Sequence, residues 1–133
     1  MNRSFRLKLS LLTMRLSVFV VMSMWMIDKF INPGHGAKIF EKFYFIPGLP
    51  ETTMMGIGVL ESIVLVCFVL GLFKKWTYGA VLLFHAVSTF SSWQQYLSPF
   101  EGPHLLFFAA WPMLSGCLLL FLLREEDSLW ALS

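Results

Sequence analysis

Polar side chains that could bind a ligand or move a proton are concentrated in one apolar stretch of this 133-residue chain. They follow each other at helical steps of three and four residues and form what we call the polar column: His85, Ser88, Thr89, Ser92 and Gln95. Glu61 lies in the preceding apolar stretch, at a similar depth if both stretches are helices. A carboxyl group in hydrocarbon must be paired or protonated. We therefore expect Glu61 to turn towards the polar column.

Two interpretations of these residues stay open. In the first, the hydroxyls and His85 only hold helices together, through interhelical hydrogen bonds of around 0.6 kcal/mol each. In the second, Glu61 and the polar column line a pocket that handles protons or binds a ligand. The second interpretation is supported by the high free-energy cost of placing an ionisable pair in the middle of a membrane, which a mere contact between helices would not justify.

The elements that must position these residues are membrane helices. The chain is 57% hydrophobic and 14% charged, far from the balance of a soluble domain. Four stretches approach the twenty or so residues needed to cross a ~30 Å hydrocarbon core: 10–31, 52–73, 76–96 and 105–123. Residues 37–46 carry their aromatic side chains on one face. We predict an all-α fold in which residues 1–133 are one integral membrane domain, a four-helix transmembrane bundle with a short interfacial helix in the first outer loop.

The charges give an orientation. With the N-terminus in the cytoplasm, the inner side holds seven Lys and Arg residues and the outer side three, so we expect both termini in the cytoplasm. The bulky residues 25–27 stand where a signal peptidase would need small ones, which favours a retained first span. The net charge of +2 gives no concentrated basic face for nucleic acid.

Three charged residues mark the ends of the first span. Arg15 interrupts it, and we expect its side chain to extend to the cytoplasmic surface. Asp28 and Lys29 close the span at the outer end. The acidic segment 124–127 is interpreted as a cytoplasmic stop.

Thiol and metal chemistry find little support. Cys67 and Cys117 lie at matching depths, but on diagonal helices of a simple bundle they would be roughly 14 Å apart, too far for a disulfide. Whether these cysteines have a redox role stays open. The three histidines are scattered, so no metal site is predicted. Motifs of the common hydrolase and nucleotide-binding classes are also missing.

Several of these positions resemble the DoxX-like family of small four-helix bacterial membrane proteins. The residues that carry the resemblance are Arg15, Lys29, Glu61, Gly71-Leu72 and Lys74-Lys75. It covers about residues 15–86, and the chain departs from the family's glycines at Met26, Val64 and Leu65. The resemblance implies a bacterial inner membrane and a link to quinone-coupled oxidation of sulfur compounds or to oxidative-stress complexes. Related four-helix proteins act as assembly chaperones.

We therefore expect an accessory subunit of a membrane redox system, quinone- or thiol-linked, rather than a stand-alone enzyme. A quinone is the candidate ligand, because its head group needs hydrogen-bond donors and a proton acceptor beside aromatic walls such as Trp111. The expected partners are the lipid bilayer and a larger membrane or periplasmic protein, or a second copy of the chain. One alternative is a non-enzymatic assembly or scaffold protein that docks through residues 37–46. A second alternative is a transporter of protons or a small solute.

Overall fold

The computed structural model describes residues 2–48 and 50–132, and every regular element in that part of the chain is a helix. The helices are α1 (Arg3–Ile31), α2 (Pro33–Tyr44), α3 (Glu51–Val69), α4 (Lys74–Ser91), α5 (Trp93–Leu97) and α6 (Ala110–Leu122), with a 3₁₀ helix, His104–Ala109, leading into α6. The prediction of an all-α fold is confirmed.

Three helical segments in the described part of the chain are long and apolar enough to cross a membrane: Arg3–Ile31, Thr52–Val69 and His104–Leu122. They match three of the four predicted spans and make this a membrane protein. Helix α4 does not meet the same criterion, because two lysines at its start and the polar column in its second half lower its hydropathy.

Helices α1 and α2 differ from the predicted ranges at their ends. The side chain of Asn2 accepts a hydrogen bond of 2.8 Å from the backbone N–H of Phe5, which caps α1 well before residue 10. Helix α2 begins at Pro33, where a first-turn proline costs no hydrogen bond. It ends at Tyr44 because Phe45 adopts a left-handed conformation, with φ of 58°. A helix therefore exists in the first loop, but it starts and ends earlier than 37–46.

The predicted span 76–96 is divided. Helix α4 ends at Ser91, and the short α5 starts at Trp93. Between them, the Ser92 hydroxyl donates to the carbonyl oxygen of Ser88 at 3.1 Å, a local bond by which serine competes with regular helix. The prediction of one continuous helix extended past this point because the polar residues keep their spacing of three and four residues.

The four long helices form a ring in which the neighbours are α1 and α3, α3 and α4, α4 and α6, and α6 and α1. Each of the four contributes to one buried apolar cluster: Leu11, Val18, Leu65, Phe68, Tyr78, Val81, Cys117 and Leu120. Helices α1 and α4 thus face each other across the diagonal of the ring. This arrangement lets side chains from α1 and α4 meet in the centre.

Candidate functional site

The most deeply buried polar group of the described structure lies where the C-terminal tail, residues 123–132, folds back against the helices. Arg15 Nη1 forms a salt bridge of 2.9 Å with Asp127 Oδ1, and both side chains are 0% exposed. The buried Tyr78 hydroxyl donates to Asp127 Oδ2, and the Lys74 ammonium donates to the Asp127 carbonyl oxygen. We call Arg15, Lys74, Tyr78 and Asp127 the tail cluster.

Backbone contacts hold the tail in this position. Arg15 Nη2 donates to the carbonyl oxygen of Leu129 at 2.6 Å, and the Leu132 N–H donates to the carbonyl oxygen of Leu70 at 2.8 Å. Gly71 lies next to Ala131 in a left-handed conformation, with φ of +71°.

The expectation that Arg15 extends to the membrane surface is wrong. Its guanidinium points into the bundle, and the chain brings Asp127 to it from 112 positions away. An arginine buried without an anion would be severely destabilising, so the acidic tail supplies the anion. The sequence does contain the signal: it is the run of acidic residues that we interpreted only as a stop.

A second ion pair joins α1 to α3. Lys29 Nζ lies 3.0 Å from Glu61 Oε1, and the two side chains are 13% and 16% exposed. The prediction that the polar column supplies the partner of Glu61 is therefore wrong. The partner is a lysine on the other neighbour of α3, one of the residues that carry the family resemblance.

Asp28 makes a separate set of contacts at the end of α1. Its Oδ2 lies 2.6 Å from Nδ1 of His35 in α2, and Asn32 Nδ2 donates to its Oδ1 at 3.4 Å. Asp28 thus ties the connection between α1 and α2 to the end of α1. The partner His35 was missed, because its significance depends on the turn between the two helices.

The polar column is mostly bonded within its own helix. Thr89 donates to the carbonyl oxygen of His85 at 2.7 Å, as Ser92 does to Ser88. His85 Nε2 lies 3.0 Å from the carbonyl oxygen of Ala110 and so links α4 to α6. Ser88 instead turns outwards, with its hydroxyl 2.9 Å from that of Tyr44 in α2.

The remaining two predicted site residues lie near the α5 end of the bundle. Gln95 is buried. Trp111 is exposed and stacks against Phe90 and Tyr96, with ring centroids 5.6 and 5.4 Å apart. The structure therefore distributes the predicted ligand-binding residues over several contacts and does not bring them into one pocket with Glu61. Their ligand-binding role stays a prediction.

An aromatic groove of about 580 Å³ separates the end of α2 from α4. Its lining residues are Phe43, Tyr44, Phe45, Ala86, Val87, Phe90, Ser91 and Trp93. No residue of the polar column is among these lining residues. Ser88 is connected to the groove only through the hydrogen bond between its hydroxyl and that of Tyr44. The groove offers flat apolar walls with a pair of hydroxyl groups at its edge, which suits a planar apolar ligand. Sequence reasoning missed it because α2 and α4 are distant in the chain.

The described part of the chain shows neither a disulfide bond nor a cluster of metal ligands. Cys67 and Cys117 are both free thiols, and among residues 2–48 and 50–132 no three His, Cys, Asp or Glu side chains are grouped as metal ligands. Comparisons of the chain with protein-family models, with curated proteins and with solved structures find no match.

Proposed function

We propose that the chain crosses the bacterial inner membrane four times, with α4 as the fourth crossing, both termini in the cytoplasm and α2 lying along the outer interface. Helix α4 supports this because it buries His85 and Thr89 while its apolar Leu83 and Val87 are 61% and 46% exposed. A helix with polar residues inside and apolar residues outside suits a lipid environment. The excess of Lys and Arg on the inner side supports the orientation.

Within this membrane protein, the proposed function is that of an accessory subunit of a redox system, which holds a flat, lipid-soluble ligand of the quinone type in the aromatic groove. The single observation that carries the proposal is the groove itself. It is an open surface groove of about 580 Å³ whose walls carry aromatic rings from both α2 and α4. The resemblance to the DoxX-like family supports the redox assignment.

An accessory role fits the chemistry better than catalysis. The acids that could transfer protons, Glu61 and Asp127, are both engaged by cations of the same chain. Neither of them lines the groove. The subunit would therefore position the ligand for a larger partner, which carries out the electron transfer.

The test fills the groove and measures bound quinone. Val87→Trp places an indole in the groove, whereas Leu83→Trp places one on the same exposed side of α4, one turn away from the lining. Each protein is extracted in a mild detergent, and quinone is quantified after solvent extraction. We expect stoichiometric quinone in the parent and in Leu83→Trp, and a loss of at least about tenfold in Val87→Trp, which corresponds to ~1.4 kcal/mol. A parent protein without quinone would refute the proposal.

A scaffold function is the second candidate, and the exposed polar edge of α2 favours it. Lys38, Glu41 and Lys42 are exposed on a helix whose aromatic residues pack inwards, with Phe43 at 6.0 Å from Phe107. Such an edge could bind a partner through charge complementarity. In this case Lys38→Glu with Lys42→Glu should abolish cross-linking to the partner without changing bound quinone, and the matching Lys→Arg changes should preserve it.

A further inference from the structure

The tail cluster leaves one donor of its arginine without a partner. Arg15 donates to Asp127 and to Leu129, and Tyr78 donates to the second carboxylate oxygen. A guanidinium has five N–H groups, and Arg15 Nε is buried with no hydrogen-bond partner. The guanidinium that binds the anion therefore has a buried donor that the anion does not use.

The anion itself comes from a segment that lies outside the helices. The tail has left the helix at Leu122, and Glu125, Glu126 and Ser128 are exposed. Arg15, Lys74 and Tyr78 attach it to the helices, as does a backbone bond to Leu70. An irregular segment of turns such as this one opens at lower free energy than the helices.

The helices, by contrast, keep the cations in place without the tail. Arg15 belongs to α1 and Tyr78 to α4, and Leu11 and Val81, one turn from each, lie in the apolar cluster. Lys74 begins α4, directly after the left-handed Phe73. If the tail leaves, two cations and a phenol remain together at one end of the bundle.

We propose that Arg15, Tyr78 and Lys74 form a phosphate-binding site, and that Asp127 is its built-in, displaceable ligand. A phosphate group carries more acceptor oxygens than a carboxylate. Once the tail has left, it can bind the edge of the Arg15 guanidinium that includes the unused Nε in a bidentate manner and keep further oxygens for Tyr78 and Lys74. The C-terminal tail then acts as a latch that closes the site when no phosphate is bound. The phosphate can belong to a lipid headgroup or to a soluble ion.

The first experiment empties the site and refills it. Asp127→Ala is purified in an uncharged detergent, and its thermal midpoint is followed with inorganic phosphate, with chloride at equal ionic strength, and with acetate. We expect phosphate to raise the midpoint by about 5–10 °C with saturation, and chloride to leave it unchanged. An equal effect of chloride, or a rescue by acetate alone, would overturn the proposal.

A double variant shows that the effect belongs to this site. Arg15→Gln with Asp127→Ala removes both charges of the buried pair, so it should be more stable than Asp127→Ala alone. Because the main donor is gone, its midpoint should not respond to phosphate. A phosphate response of the same size in the double variant would place the bound phosphate elsewhere and overturn the assignment.

The second experiment uses the unaltered chain, so it does not depend on a variant that folds. Hydrogen exchange of the peptide covering the tail is measured with phosphate, with phosphatidylglycerol and with a neutral glycolipid. Displacement of Asp127 should release the Leu132 N–H and speed its exchange at least about tenfold. An effect of phosphatidylglycerol alone identifies the lipid headgroup as the source, an effect of both identifies phosphate in general, and an effect of neither refutes the latch.

Discussion

At the scale of single residues, Arg15 and Asp127 form the most deeply buried ion pair among the described residues. Two fully buried charges gain little net stability when both are present, but removal of one leaves the other without compensation. The tail cluster therefore contributes more to specifying where the tail lies than to stability itself. This asymmetry leads to a prediction in which single and double variants differ sharply.

Asp127→Asn should destabilise the protein by about 3–5 kcal/mol, because it leaves the Arg15 guanidinium buried without an anion. Arg15→Met with Asp127→Leu should recover most of this loss, since no charge then remains buried. Denaturation in detergent, followed by circular dichroism, measures both. The control is Glu125→Gln, the same change two residues away at an exposed position, which should stay within about 0.5 kcal/mol of the parent. Equal losses for Asp127→Asn and Glu125→Gln would contradict the buried pair.

The pair of Lys29 and Glu61 should be worth less, because both side chains keep some exposure. Glu61→Gln and Lys29→Met are each expected to cost about 1–2 kcal/mol. Lys29→Glu combined with Glu61→Lys should be more stable than either reversal alone, and the same denaturation assay measures this. Quinone bound to the parent should persist in Glu61→Gln, since Glu61 does not line the groove. Additive losses in the reversed pair would argue against a direct interaction.

The sequence identified Arg15, Lys29 and Glu61 as important but gave Glu61 the wrong partner and Arg15 no partner. Helical periodicity compares residues on one helix or on sequential helices, so it placed Glu61 beside the polar column. The observed partner of Glu61 comes from α1, and that of Arg15 from an irregular tail without any period. Contacts of this kind depend on the order of helices around the ring, which hydropathy does not encode.

At the scale of elements, the turn between α3 and α4 links the helices to the tail. Gly71 has φ of +71°, and a Cβ added there would lie 2.6 Å from the Cβ of Ala131. An L-residue is strained in this conformation, and its side chain would meet the tail. The turn can therefore accept the tail only because residue 71 is glycine.

Gly71→Ala should destabilise the protein by about 2 kcal/mol or more, through backbone strain and the displaced tail. The matched control is Gly56→Ala in α3, where an added Cβ meets nothing within 4 Å and helix propensity predicts a gain of up to about 1 kcal/mol. Limited proteolysis of the tail together with thermal midpoints distinguishes the two. A Gly71→Ala protein with parental stability and a protected tail would contradict the role of this turn.

The division between α4 and α5 illustrates what element prediction could and could not achieve. Of the predicted polar column, His85, Thr89, Ser92 and Gln95 are buried. Ser88, predicted on the same face, turns outwards to Tyr44. The hydroxyls of Thr89 and Ser92, however, bond to backbone carbonyls one turn earlier and do not reach across to α3. A pattern shows that a hydroxyl faces inwards, but its choice between a local carbonyl and a neighbouring helix is decided by packing.

At the scale of the whole molecule, the distribution of polarity is inverted relative to a soluble bundle. Arg15, Asp127 and His85 are buried, while Val59, Leu60 and many other large apolar side chains are exposed. Composition alone predicted this inversion, because so few charged residues cannot cover the surface of a soluble domain. The groove between α2 and α4 could not be predicted, because it exists only after the first loop folds onto a helix that follows it by some forty residues.

The number of crossings is the property of the whole molecule on which the proposed function depends most, and labelling of three exposed positions determines it. Ser4→Cys, Glu101→Cys and Ser128→Cys are each treated with a maleimide that cannot cross the membrane, before and after permeabilisation, with the parent as control for Cys67 and Cys117. Four crossings with cytoplasmic termini predict that only Glu101→Cys is labelled in intact cells. If α4 does not cross and the N-terminus is cytoplasmic, only Ser128→Cys is labelled in intact cells. If α4 does not cross and the N-terminus is external, Ser4→Cys and Glu101→Cys are both labelled. Because each topology gives a different combination, the three labels decide whether α4 spans the membrane despite its low hydropathy, as we expect from its buried His85 and Thr89 and its exposed Leu83 and Val87.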